Sequence, residues 1–163
     1  MRSIVLILFC IIAIPAVAAQ VAPRSAVAYV GYDYATKHHL VGVGARLDLP
    51  LPGRYAIQPS AEIQIIGDDA SELAGSTRVQ GSLDLIAEVP TAVVTPYLGA
   101  GLALFYRDSD RFSADGGVGG NLFAGVSLGR ESGLRPFVQV RYSALDILED
   151  SAVSWTGGVA LGL

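Results

Sequence analysis

Apolar and polar residues alternate one by one along most of this chain, and this period of two recurs in eight separate segments. The segments span residues 26–34, 40–49, 54–65, 77–88, 94–106, 118–128, 135–145 and 152–163. Successive side chains of a β-strand point to opposite faces, so a period of two is typical of strands with one apolar face. No helical periodicity of comparable extent accompanies it. The sequence therefore predicts an all-β protein of eight strands.

The connections between these segments alternate in length. Residues 50–53, 89–93 and 129–133 form short links, whereas 35–39, 67–76, 107–117 and 146–151 form the other set, mostly longer and polar. Each strand segment also has the 9 to 11 residues that a tilted membrane-spanning strand needs, or slightly more. Short turns at one end and longer loops at the other are typical of an antiparallel up-and-down transmembrane barrel. An even number of strands places both termini at the same end.

The two faces of the predicted strands differ in side-chain size as well as in polarity. One face is apolar and uncharged, with bulky residues such as Val30, Val41 and Leu102, while the other combines charges with many glycines. Glycines cannot fill the core of a soluble barrel, but they leave room in a narrow lumen. We therefore expect the apolar face to point outward. Alternation alone does not fix the direction, so a soluble periplasmic ligand-binding barrel stays an alternative.

Charged residues on the glycine-rich face are predicted to meet inside the barrel. A charge in such an interior must be paired or hydrated, and four acids against three arginines nearly balance. An eight-stranded barrel is only just wide enough for its inward side chains, which favours a filled lumen over a gated pore. The predicted lumen network is Asp33, Arg46, Asp48, Glu62, Arg78, Asp84 and Arg141.

Aromatic residues on the apolar face fall near the longer connections. Barrels carry such amphipathic rings as girdles at the membrane interface. The predicted girdle is Tyr34, Tyr106, Tyr142 and Trp155.

The first 19 residues have the composition of a secretory signal peptide. Arg2 is followed by an apolar run over residues 4–14, then Pro15 and the small residues 16–19. A spanning helix needs about 20 apolar residues, so this run is too short for a membrane anchor. The only cysteine, Cys10, lies inside the run. The barrel domain is therefore predicted to span residues 20–163, without disulfides.

Residues that could carry chemistry are sparse. The only histidines, His38 and His39, are adjacent, and neighbouring strand residues point opposite ways, which argues against a catalytic triad or a metal site. Acids outnumber bases, giving a net charge of −4, which argues against nucleic acid as a partner. We expect no catalytic residues, no metal and no cofactor.

Residues 96–106, PYLGAGLALFY, and 157–163, GGVALGL, resemble the small outer-membrane β-barrel family that includes the OmpA membrane domain, OmpX-type and opacity-type proteins. The resemblance implies export to a Gram-negative outer membrane, contact with outer-membrane lipid and lipopolysaccharide, and insertion by the barrel-assembly machinery. It also implies a carboxyl-terminal assembly signal made of Thr156, Gly158, Leu161 and Leu163. Family members usually end in an aromatic residue, whereas this chain ends in leucine.

The function implied by this resemblance is non-enzymatic, with a structural or surface-interaction role in the cell envelope. Two alternatives from other classes stay open. One is a narrow passage for small solutes or apolar molecules, and the other is an enzyme that modifies lipid A.

Overall fold

The computed structural model describes residues 24–34, 37–67, 76–89, 91–109, 112–129, 133–144 and 151–162. Within these ranges no helix is long and apolar enough to cross a membrane. The predicted signal peptide, residues 1–19, and the last residue of the predicted assembly signal, Leu163, lie outside the described residues.

Eight long strands form the described fold. They are β1 (Arg24–Asp33), β2 (His38–Leu47), β3 (Tyr55–Gly67), β4 (Ser76–Glu88), β5 (Val94–Ser109), β6 (Phe112–Leu128), β7 (Leu134–Ala144) and β8 (Ser151–Gly162). After a break at Asp48, Leu49–Pro50 continues β2 and pairs with β3 in the same register.

Every strand pairs antiparallel with the next one along the chain, and the last strand pairs with the first. The closing pair, β1 with β8, runs from Ser25 opposite Gly162 to Asp33 opposite Ser154. This pairing converts the sheet into a closed barrel, so its backbone hydrogen-bonding groups have partners on both sides. The predicted fold, an eight-stranded antiparallel up-and-down barrel, is confirmed.

Glycines in left-handed backbone conformations lie in two of the three short turns, those over residues 50–53 and 129–133. Gly53, Gly129 and Gly133 have φ angles of 88°, 92° and 106°, a region that residues with a Cβ rarely adopt. We call the barrel end that carries these turns the turn end, and the opposite end the loop end.

One predicted loop is wrong in extent. The polar stretch over residues 107–117 was expected to connect two strands, but most of it belongs to β5 and β6. Arg107 pairs with Asp115 and Ser109 with Phe112, with a shift of register between these two pairs. Polar composition suggested a loop here. Backbone pairing nevertheless continues, because hydrogen bonds between the strands of a hairpin do not require apolar side chains.

The strand faces divide as the alternation predicts. The outward positions include Val30, Leu102 and Leu122, whose exposed fractions are 57 %, 67 % and 52 %. Most inward positions are buried and polar side chains are the most numerous among them, beside aromatic rings and aliphatic side chains such as Val27 and Leu40. β7 shows the two-residue alternation of exposed and buried residues along almost its whole length. The barrel therefore has an apolar exterior, and its charged and polar side chains are concentrated inside.

Candidate functional site

The Glu62 carboxylate lies at the centre of the lumen, on the inward face of β3. The residue is only 2 % exposed. Its Oε1 accepts a hydrogen bond from Arg46 Nη2 on β2 at 3.2 Å, and its Oε2 accepts one from Arg141 Nη1 on β7 at 3.5 Å. One carboxylate thus joins two arginines from opposite parts of the barrel wall.

Tyr29 and Gln64 complete the bonding of this carboxylate. The Tyr29 hydroxyl donates to Glu62 Oε2 at 2.6 Å, and Gln64 Nε2 donates to the Tyr29 oxygen at 2.9 Å. A charged acceptor makes such hydrogen bonds shorter and stronger than neutral ones. Together with the two arginines, these residues form what we call the Glu62 cluster: Tyr29, Arg46, Glu62, Gln64 and Arg141.

Neighbouring glycines create the space for the Tyr29 ring. A Cβ on Gly42, in the adjacent strand β2, would come within 2.3 Å of Tyr29 Cζ. A Cβ on Gly158, in β8 on the other side, would come within 2.6 Å of Tyr29 Cβ. The inward glycines of these strands therefore allow a large ring to cross the lumen and reach Glu62.

Aromatic rings flank both arginines of the cluster. The Arg46 guanidinium carbon lies 5.3 Å from the centre of the Phe137 ring, and that of Arg141 lies 5.5 Å from the Phe123 ring. Cation–π attraction is strongest where water is excluded, so these rings help to hold the arginines in place. Phe123 in turn fits because Gly99, opposite it on β5, has no side chain.

The other residues of the predicted lumen network lie at different levels. Asp33 and Arg78 are buried near the loop end. Asp84 is buried and accepts a hydrogen bond from Ser82 at 2.5 Å, while Asp48 accepts one from Gln58 at 2.5 Å near the turn end. Three of the seven predicted residues therefore converge on one point, and the remaining four contribute to other parts of the lumen.

Two cavities lie on either side of the Glu62 cluster. The loop-side cavity has a volume of about 20 Å³ and is lined by Asp33, Arg78 and Gln80 among others. The turn-side cavity has about 50 Å³, and its lining includes Asp48 and Tyr97. Spaces of this size hold from one to a few water molecules. Arg46 lines both cavities, so its side chain stands between them.

Sequence reasoning concentrated on charges and missed the aromatic residues of the lumen. Tyr29, Tyr97, Phe123 and Phe137 all point inward. The available signal was their position: each has the same parity along its strand as the inward glycines or charges. Tyr97 illustrates the pattern, because its ring lies where a Cβ on Gly125 would be, and its hydroxyl donates to Gln139 at 3.2 Å.

The predicted girdle residues lie on the outer surface. Tyr34, Tyr142 and Trp155 are exposed by 58 %, 44 % and 41 %, and Tyr106 is half-buried. All four lie toward the loop end of their strands.

The described residues of the predicted assembly signal lie in β8, two facing the lumen and one facing outward. Thr156 is buried and Gly158 faces the lumen beside Tyr29, whereas Leu161 is exposed. The strand that contains them is the one that closes the barrel against β1.

The two histidines are part of β2 rather than of a loop. His39 is exposed on the outer surface, whereas His38, the neighbouring residue, is half-buried. In the part of the chain that the structure describes, no group of three or more His, Cys, Asp or Glu residues has the arrangement of a metal site.

No family model and no curated protein sequence matches this chain. Solved structures do match. The N-terminal β-barrel domain of Pseudomonas aeruginosa OprF superposes with a TM-score of 0.63 and 18 % identity, covering 86 % of this chain and 97 % of that one. The outer membrane enzyme PagL superposes with a TM-score of 0.62 and 15 % identity, covering 84 % of this chain and 98 % of that one. Neisserial surface protein A superposes with a TM-score of 0.62 and 16 % identity, covering 87 % of this chain and 96 % of that one.

These similarities establish the fold. The predicted resemblance to small eight-stranded outer-membrane barrels is confirmed at the level of structure. At such low identity, however, the fold is shared by proteins of different activity, among them an enzyme.

Proposed function

We propose that this chain is a non-enzymatic outer-membrane protein whose filled barrel has a structural or surface-interaction role in the cell envelope. The observation that carries the proposal is the Glu62 cluster, which occupies the lumen between the two cavities. Hydrogen bonds join a carboxylate, two arginines and a tyrosine across the lumen. This arrangement supports a barrel with a filled lumen rather than a pore.

The outer surface supports the membrane location. Its exposed residues are bulky and apolar along every strand of the barrel, and a water-soluble protein rarely exposes an apolar surface of that extent. Hydrocarbon is the solvent that such a surface fits, and a closed barrel leaves no unpaired strand edge in it. The outer-membrane barrels that share the fold point to the same location.

Conductance of the purified, folded protein in planar lipid bilayers tests the filled lumen. We expect no discrete current steps from the wild-type protein. The double variant Arg46→Ala/Arg141→Ala removes both guanidinium groups from the Glu62 cluster, so we expect it to leak ions. Regular current steps from the wild-type protein would overturn the proposal in favour of a passage protein.

Experiments in cells test the role in the envelope and the absence of enzymatic activity. We expect cells that lack the protein to become more sensitive to detergent, with resistance restored by a plasmid copy. Mass spectrometry of lipid A from the same cells is expected to give identical species with and without the protein. A change in its acyl chains or phosphates on deletion, reversed by the plasmid copy, would assign the chain to the lipid A-modifying enzymes instead.

A further inference from the structure

The turn-side cavity is lined by residues from all eight strands of the barrel and has a volume of about 50 Å³. Its charged lining residues are Arg46, Asp48, Glu88 and Arg135. The Glu62 cluster lies on the inner side of this cavity, so a ligand would reach it from the turn end. Two cations and two carboxylates thus face a space that is separate from the loop-side cavity.

The charges of the turn-side cavity are separated by sign. Arg135 belongs to β7, and the guanidinium carbon of Arg46 lies 5.3 Å from the ring of Phe137 on the same strand. The carboxylates come from strands across the lumen, Asp48 from the end of β2 and Glu88 from the end of β4. The cavity is therefore positive on the side of β7 and negative on the side of β2 to β4.

Both sides of the turn-side cavity have unused hydrogen-bonding capacity. The Nε groups of Arg46 and Arg135 are buried and have no hydrogen-bond acceptor among the described residues. On the other side, the Asp48 carboxylate accepts a hydrogen bond from Gln58, and no cation in the described part of the chain forms an ion pair with it. Polar and charged groups withdrawn from water without partners are costly. A ligand that carries both a carboxylate and an ammonium group would satisfy both sides.

We propose that the turn-side cavity binds a small zwitterionic amino acid of the size of glycine. The ligand carboxylate accepts hydrogen bonds from the Nε groups of Arg46 and Arg135, and the ligand ammonium donates to the carboxylates of Asp48 and Glu88. A cavity of about 50 Å³ holds only a few water-sized groups, which excludes amino acids with large side chains. This inference goes beyond the proposed function, because a filled lumen does not require a ligand.

The arginine Nε–H groups report on the proposed site directly. Folded protein with isotopically labelled arginine, in a non-ionic detergent, is titrated with glycine while the Nε–H signals are recorded by nuclear magnetic resonance. The signals of Arg46 and Arg135 are expected to shift saturably, because both donors gain an acceptor. Acetate lacks the ammonium group and methylamine lacks the carboxylate, so each should bind about 10-fold more weakly than glycine. Leucine should not bind, because its side chain exceeds the space.

Two variants test the two sides of the turn-side cavity. Arg135→Gln removes a donor to the ligand carboxylate and should weaken glycine binding about 10-fold, followed by the Arg46 signal. Asp48→Asn keeps an acceptor for Gln58 but removes the charge, so it should weaken glycine binding to a similar degree without weakening acetate binding. The matched control is Arg54→Gln, which removes an exposed cation at the same end but outside the cavity and should leave the affinity unchanged. Gel mobility before and after boiling verifies that each variant is folded.

Three results would overturn the amino-acid site. The first is the absence of a saturable shift with glycine in the wild-type protein. The second is acetate that binds as tightly as glycine, because the cavity would then recognise a negative charge alone. The third is wild-type affinity for glycine in both Arg135→Gln and Asp48→Asn, each folded. None of these results depends on whether the lumen conducts, so the planar-bilayer experiment tests the proposed function independently.

Discussion

Glu62 is the residue on which the lumen depends most. Its carboxylate is almost wholly removed from water, and two arginines from β2 and β7 approach it together with the Tyr29 hydroxyl. Removing one partner of a buried ion pair leaves the other charge buried without compensation, which is more costly than removing the whole pair. The cluster therefore links distant strands of the barrel through a single side chain.

Substitution of Glu62 is expected to destabilise the barrel strongly. Glu62→Ala leaves Arg46 and Arg141 without their shared carboxylate, so the free energy of unfolding should fall by about 3–5 kcal/mol. Urea unfolding in detergent micelles, followed by gel mobility, measures the change. Tyr29→Phe is the matched variant, since it removes one hydroxyl from the same cluster and should cost only about 1–3 kcal/mol. Glu62→Ala with wild-type stability would mean that the cluster does not stabilise the fold.

Strand β8 has one face toward the lumen and one toward the exterior, and it pairs with both β7 and β1. Gly157 and Gly158 are adjacent, but their surroundings differ. The nearest atom to a Cβ on Gly157 would be 3.9 Å away, whereas a Cβ on Gly158 would lie 2.2 Å from the carbonyl oxygen of Ala28. Close approach of β1 and β8 thus requires glycine at one position and tolerates a side chain at the next.

This difference predicts different effects on stability for two alanine substitutions. Gly158→Ala should destabilise the barrel by about 1–3 kcal/mol, because a backbone atom of β1 must move to admit the methyl group. Gly157→Ala should stay within about 0.5 kcal/mol of wild type, as outward substitutions without contacts usually do. The folded fraction after refolding into detergent, read from gel mobility, compares the two. Equal losses at both positions would contradict the closure of the barrel by β1 and β8.

The whole molecule is organised by an apolar exterior around a polar interior, the reverse of a water-soluble barrel. The cost of a charge on that exterior should therefore depend on depth in the membrane. Leu83, in the middle part of β4, and Leu134, at the turn end of β7, are exposed by 55 % and 62 %, so they differ mainly in position along the barrel.

An arginine at each position tests this depth dependence. Leu83→Arg should lower the free energy of unfolding in lipid vesicles by about 2–4 kcal/mol, and Leu134→Arg by about 0–1 kcal/mol, because the latter reaches the aqueous interface. Urea titration of vesicle-inserted protein by fluorescence gives both values. If Leu83→Arg cost no more than Leu134→Arg, the apolar exterior would not be embedded in hydrocarbon.

Local pattern was sufficient to predict the strands, the outward and inward faces, and the number of barrel strands. The reason is physical: the period of two is a property of each strand and needs no knowledge of its neighbours. The hairpin of β5 and β6 marks the limit of this reasoning. Its outer pairs, Arg107 with Asp115 and Ser109 with Phe112, depend on backbone hydrogen bonds that composition does not reveal.

Alternation along each strand was therefore enough to predict that Arg46, Glu62 and Arg141 point inward, along with four more charged residues. That these three residues meet, while Asp48 and Asp84 bind other partners, follows from the folded barrel and not from the alternation. Whether two inward side chains meet depends on the register of strands far apart in sequence and on the space that glycines leave for rings such as Tyr29. The alternation determines whether a side chain points inward or outward, whereas strand register and packing determine the distance between two inward side chains.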